Sequence, residues 1–128
     1  MQKESVNIII QNPKEKYLLQ MRDDTEGICN PLKWNFFGGG LKGGSPLADA
    51  VREMKEELDI IADEEDLELL GDIVGTDGSI VHVVRYKKQV NWQDFHLFEG
   101  AGAGFFTKEE ILKIDITGNT RLIISKHL

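Results

Sequence analysis

Residues 38–60, GGGLKGGSPLADAVREMKEELDI, pass from a glycine-rich loop into a helix within a few positions. That junction narrows the folds open to the chain. Ser45 suits an N-cap, and Pro46 suits the first helical position. Leu47, Val51, Met54 and Leu58 recur at helical spacing and form one apolar stripe, so the helix must lie on a core. Glu53, Glu56 and Glu57 stand at i, i+3 and i+4 and share one turn. By angle, Asp49, Glu53, Glu56 and Glu57 gather opposite the stripe. Such acids are also the ordinary solvated face of an amphipathic helix. Here they crowd one another, and like charges that close repel unless something positive sits among them. Arg52 reaches Glu56 at i+4. Carboxylates are hard oxygen ligands suited to Mg2+ and Mn2+. A divalent cation beside a loop rich in backbone N–H groups points to phosphate chemistry.

The rest of the chain supplies strands and short helices. Residues 6–10 are a β-branched run, and a turn at Gln11-Asn12-Pro13-Lys14 leads back into residues 16–22, which predicts a hairpin. Residues 34–37 read as a short aromatic strand entering the glycines. Two strands, 67–75 and 80–87, flank an Asp77-Gly78 turn. Further short strands are expected at 94–98 and 104–106. Thr107-Lys108-Glu109-Glu110 matches a capping box opening a helix through Ile114, and residues 119–127 form a last helix. This order predicts an α/β sandwich with a mixed sheet.

The 128 residues allow one domain with a core and are too few for two ordinary ones. A net charge of −7 disfavours nucleic acid as a partner. The same charge repels a small polyphosphate too, unless bound Mg2+ turns the acidic pocket into an anion site. No apolar run approaches the ~20 residues that span a bilayer, so no membrane role is expected. The first ten residues lack the apolar core and cleavage site of a signal peptide. The lone Cys29 has no disulfide partner. These features suggest a cytoplasmic protein.

Residues 38–60 resemble the Nudix box, G-x5-E-x7-R-E-U-x-E-E-x-G-U, where U is a bulky apolar residue. Gly38, Arg52, Glu53, Met54, Glu56, Glu57 and Ile60 fall on its positions in register. The resemblance to this family, which includes MutT-like hydrolases, implies an α/β/α sandwich spanning residues 1–128 as one domain. It also implies Mg2+-dependent hydrolysis of a nucleoside diphosphate linked to another group. By resemblance, Glu56 and Glu57 are metal ligands and Glu53 is a ligand or the general base. Arg52 orients the glutamates, and a carbonyl near Gly38 completes the metal site. Two positions depart from the pattern. Gly44 stands where the first glutamate belongs, removing an acid that supports the arginine or a second metal. Asp49, one turn ahead of Glu53, is placed to substitute in part. Asp59 replaces the glycine after the helix, at a cost of ~1 kcal/mol for a left-handed C-cap.

Outside the box the family uses one more acid from a distal loop. Glu99, among small residues, is the first candidate, ahead of Asp94 and Glu110. For substrate, Gly39 lies in the phosphate-facing loop and Arg22 can pair with a phosphate. Trp34 and Phe36 can stack on a base, although aromatics there also suit a core. His82, His96 and His127 share no metal-like spacing and read as structural or surface residues. The expected function is hydrolysis of a nucleoside triphosphate or similar small nucleotide. The alternative is a nucleotide-binding regulatory module with weak or no hydrolysis, which Gly44 favours. A second copy of the chain, in a homodimer, is the other candidate partner.

Overall fold

The computed structural model describes residues 3–21, 33–97 and 102–128. Arg22, Cys29 and Glu99 lie outside the described residues. The elements run β1 (Glu4–Ile9), β2 (Tyr17–Met21), β3 (Trp34–Asn35), β4 (Phe37–Gly40), α1 (Pro46–Leu58), β5 (Leu67–Val74), β6 (Ile80–Tyr86), β7 (Gly102–Phe106), α2 (Lys108–Ile111) and α3 (Gly118–His127). One sheet has the order β4-β1-β6-β5, and β1 runs parallel to β6 while the other pairs are antiparallel. A second, antiparallel sheet has the order β3-β2-β7.

Side chains alternate across β1, and that alternation builds two cores. Val6, Ile8 and Ile10 pack with Ala50, Met54 and Leu58 of α1. Ile9 faces the other way, into a cluster with Val81, Val83, Ile123 and Ile124, the last two from α3. The larger sheet is thus held between α1 and α3, an α/β/α sandwich with a mixed sheet, as the sequence predicts.

Several local expectations change. The predicted hairpin is a corner between sheets. Gln11 and Tyr17 make one isolated bridge, and the Leu18 N–H donates to the Ile10 carbonyl at 2.8 Å. Both edges of β1 are already taken by β4 and β6, so β2 passes to the second sheet. The aromatic strand at 34–37 breaks at wholly buried Phe36, where the chain crosses from β3 to β4. Residues 94–97 form no strand. Trp92–Asp94 is a single 3-10 turn, closed by the Asn91 N–H donating to Asp94 Oδ2 at 2.8 Å. The capping box at Thr107 is present, but α2 ends at Ile111, whose burial fixes the chain before Ile114.

His82 ties three strands of the larger sheet together. Its Nδ1 lies 2.8 Å from Asp72 Oδ1 on β5, and its Nε2 lies 2.9 Å from Glu4 Oε1 on β1. Burial alone lowers the imidazole pKa, but the hydrogen bonds to Glu4 and Asp72 outweigh it and leave the pKa raised. A raised folded-state pKa adds stability that is fully present below the unfolded value of about 6.5 and fades as pH rises through the folded value. Urea melts are therefore expected to show stability falling across that window in the wild type. His82→Asn should flatten this dependence; an unchanged slope would assign it to other groups.

Candidate active site

The glycines permit a close approach of strand and helix. β4 pairs with β1 in the register Asn7↔Gly38, Val6↔Gly39 and Ser5↔Gly40. A Cβ on Gly38 would stand 1.9 Å from the Val6 carbonyl oxygen, so no side chain fits there. A Cβ on Gly39 would meet Glu53 Oε1 at 2.4 Å. The glycine strand is thus the surface on which the Glu53 carboxylate rests. The chain then enters α1 through Ser45, whose Oγ accepts from the Ala48 N–H at 3.2 Å. At the other end Asp59 is left-handed, with φ of 56°. Its N–H donates to the Lys55 carbonyl, and the Ile60 N–H donates to the Met54 carbonyl. Aspartate therefore fills the C-cap where the Nudix box has glycine.

The acids do not form a solvated face. Asp49 (4% exposed), Glu53 (8%) and Glu57 (2%) are buried, and only Glu56 is well exposed. The reason is that α1 packs its acidic flank on β4 as well as its apolar stripe on the sheet. The bare glycine backbone leaves room for carboxylates beside Ala50, which is itself wholly buried.

Arg52 organises them. Its Nη1 donates to Glu53 Oε1 at 2.8 Å and to Glu56 Oε2 at 3.0 Å. Its Nη2 donates to Asp49 Oδ1 at 3.0 Å and to the Gly40 carbonyl at 3.1 Å, and Nε donates to Asp49 Oδ1 at 3.3 Å. Burial by itself lowers the guanidinium pKa, yet the carboxylates of Asp49, Glu53 and Glu56 leave it raised. Lys55, on the same helix, pairs with Asp59 instead. One guanidinium is shared by Asp49, Glu53 and Glu56, so these three carboxylates keep a net negative charge. Buried charge of that kind is costly without a further cation. A set of hard carboxylate oxygens fits Mg2+ or Mn2+. Among the described residues no ready-made cluster of metal ligands is present. Glu53 and Glu56 point instead at Arg52.

Beyond the glycines the strand borders a cleft of roughly 300 Å³. Asn7, Asn35, Gly39, Thr76, Asp77 and Asn119 are among its walls. Asn35 Oδ1 is buried and has no donor among the described residues, whereas Asn119 Oδ1 accepts from the Thr76 N–H at 2.9 Å. No motif in the sequence marks these amides. Asn7 and Asn35 were visible as polar residues inside apolar strands, but Asn119 looks like any helix-start residue.

Gly39, Arg52, Glu53 and Glu56 come together at the helix–strand junction, with Gly38 next along the strand and Glu57 buried one turn after Glu53. Phe36 contributes to the cleft wall but is wholly buried, edge-on to Tyr17 at 6.3 Å. Trp34 packs edge-on to Phe106 at 4.9 Å within the core on the α3 side. Asp94 and Glu110 close local turns, and Arg22 and Glu99 lie outside the described residues.

A NUDIX-domain family model matches residues 1–125. The chain belongs to the Nudix family. Solved structures similar to this Nudix domain include a MutT described from Aliivibrio salmonicida and Vibrio cholerae. It has 19% identity and a TM-score of 0.79 over 98% of this chain and 96% of that one. A MutT protein from Methanosarcina mazei Go1 has 22% identity and a TM-score of 0.75, covering 98% and 91%. The NUDIX domain of Shewanella oneidensis NrtR, complexed with ADP ribose, has 14% identity and a TM-score of 0.76, covering 98% and 85%. At these identities the likeness is one of fold. No curated protein matches the chain significantly.

Proposed function

We propose that this Nudix domain hydrolyses the diphosphate linkage of a nucleoside triphosphate or another nucleoside diphosphate derivative. The observation that carries the reading is the Arg52-centred turn of buried carboxylates resting on a bare glycine strand, the same strand that borders an amide-lined cleft. Glu53, Glu56 and Glu57, with a carbonyl near Gly38, are assigned to hold Mg2+ or Mn2+, and Glu99 is assigned as a further ligand. When bound, the cation lowers the pKa of water and offsets charge on the leaving phosphate. The glycine strand admits phosphates close to the carboxylates because nothing projects from it. Arg52 holds Glu53 and Glu56 in place. As water adds to phosphorus and the P–O–P bond breaks, a carboxylate accepts the proton, and Glu53, against Gly39, is assigned that part. The cleft amides of Asn35 and Asn119 suit the edge of a base, which has both donors and acceptors.

Phosphate release from a panel of nucleotides with Mg2+ tests the reading. Turnover of at least one member supports it. Tight nucleotide binding without turnover of any member would establish the binding module that Gly44 favours. Cation binding has its own readout. Because a ligand bound to the native state stabilises it by about 2.7 kcal/mol at a hundred times Kd, Mg2+ is expected to raise the melting temperature over that in EDTA. No rise at saturating Mg2+ or Mn2+ would remove the metal assignment.

A further inference from the structure

Arg52 has five N–H donors, and each has an acceptor. Two of them, on the Nε and Nη2 edge, go to one oxygen of Asp49. That oxygen also accepts from the Lys42 backbone N–H at 3.2 Å, which ties the glycine loop to the same carboxylate. With this edge fixed, Nη1 has one orientation, between Glu53 and Glu56. The other oxygen, Asp49 Oδ2, is buried with no donor among the described residues. Such a group costs stability, and an apolar side chain would serve packing better. Its value must lie in what it does to Arg52.

Gly44 explains why the acid stands on the helix. A Cβ on Gly44 would lie 3.3 Å from Asp49 Oδ2 and 3.5 Å from the Ala48 Cβ. Asp49 thus borders the space into which a side chain at position 44 would project. We propose that Asp49 is the positioning residue for Arg52 and does from the helix what the Nudix box assigns to its first glutamate. The two positions are alternatives: the site has room and positive charge for one such acid. This inference rests on the proposed metal-dependent reading.

The test is Mn2+ titration of EDTA-stripped protein by electron paramagnetic resonance, beside nucleotide turnover, for Asp49→Ala, Asp49→Asn, Gly44→Glu and the double variant Asp49→Ala/Gly44→Glu. Residues that orient metal ligands typically change affinity ~10- to 100-fold, so both Asp49 variants should weaken Mn2+ binding by at least ~10-fold. Their kcat should fall with KM for nucleotide nearly unchanged. Gly44→Glu should weaken binding in the wild-type background and restore most of it beside Asp49→Ala, a change of sign that independent sites cannot give. If Asp49→Ala does not fold, the near-isosteric Asp49→Asn and Gly44→Glu in the wild type still decide. Mn2+ affinity and kcat within about twofold of wild type in the Asp49 variants would overturn the inference, as would equal effects of Gly44→Glu in both backgrounds. A wild type that neither binds Mn2+ nor turns over nucleotide would instead overturn the reading beneath it.

Discussion

Glu57→Gln is expected to lower nucleotide turnover by at least ~100-fold while the fold survives. Glu57 is 2% exposed and stands one turn after Glu53, the carboxylate that rests on Gly39. Glutamine keeps its shape and removes its charge. In EDTA the melt should stay cooperative, because glutamine fills the same buried space. With Mg2+ the variant should lack the stabilisation seen in the wild type. Loss of turnover, loss of the cation effect and an intact apo fold together separate a ligand role from a packing role. A near-normal rate would place the cation elsewhere.

How much of this was legible beforehand depends on the range of the interaction. The helix was readable to its ends, because Ser45, Pro46 and Asp59 act on backbone within a few residues of themselves. The two strands around Asp77-Gly78 were readable for the same reason. Pairing across the molecule was not. Residues 11–17 carry every local sign of a hairpin, and only the occupation of both β1 edges sends β2 to another sheet. The site divides in the same way. Arg52 and the glutamates announce themselves by spacing. Their burial depends on a strand of glycines sliding under the helix, and the cleft depends on Asn7, Asn35 and Asn119 meeting from three distant segments.

The adjacent glycines give the second large effect, and they separate folding from chemistry. Gly38→Ala puts a methyl group 1.9 Å from the Val6 carbonyl oxygen, inside the β1–β4 ladder. Neither backbone can yield without breaking that pairing, so a loss on the order of 4 kcal/mol or more is expected, read as a lowered urea midpoint. Gly39→Ala meets only the end of a side chain, Glu53 Oε1 at 2.4 Å. Glu53 can swing aside, so stability should change little. Its carboxylate then leaves the Nη1 of Arg52 and the place assigned to it in proton transfer. A displacement of about 1 Å at a reacting group can cost ~100-fold, and a fall in kcat of that order is expected for Gly39→Ala with a near-normal melt. The reverse result, a stable Gly38→Ala or an active Gly39→Ala, would mean that the strand does not sit where Glu53 rests on it. The pair thus asks whether the glycines serve the sheet or the carboxylates, and neighbouring positions are expected to answer differently because successive residues of a strand face opposite sides.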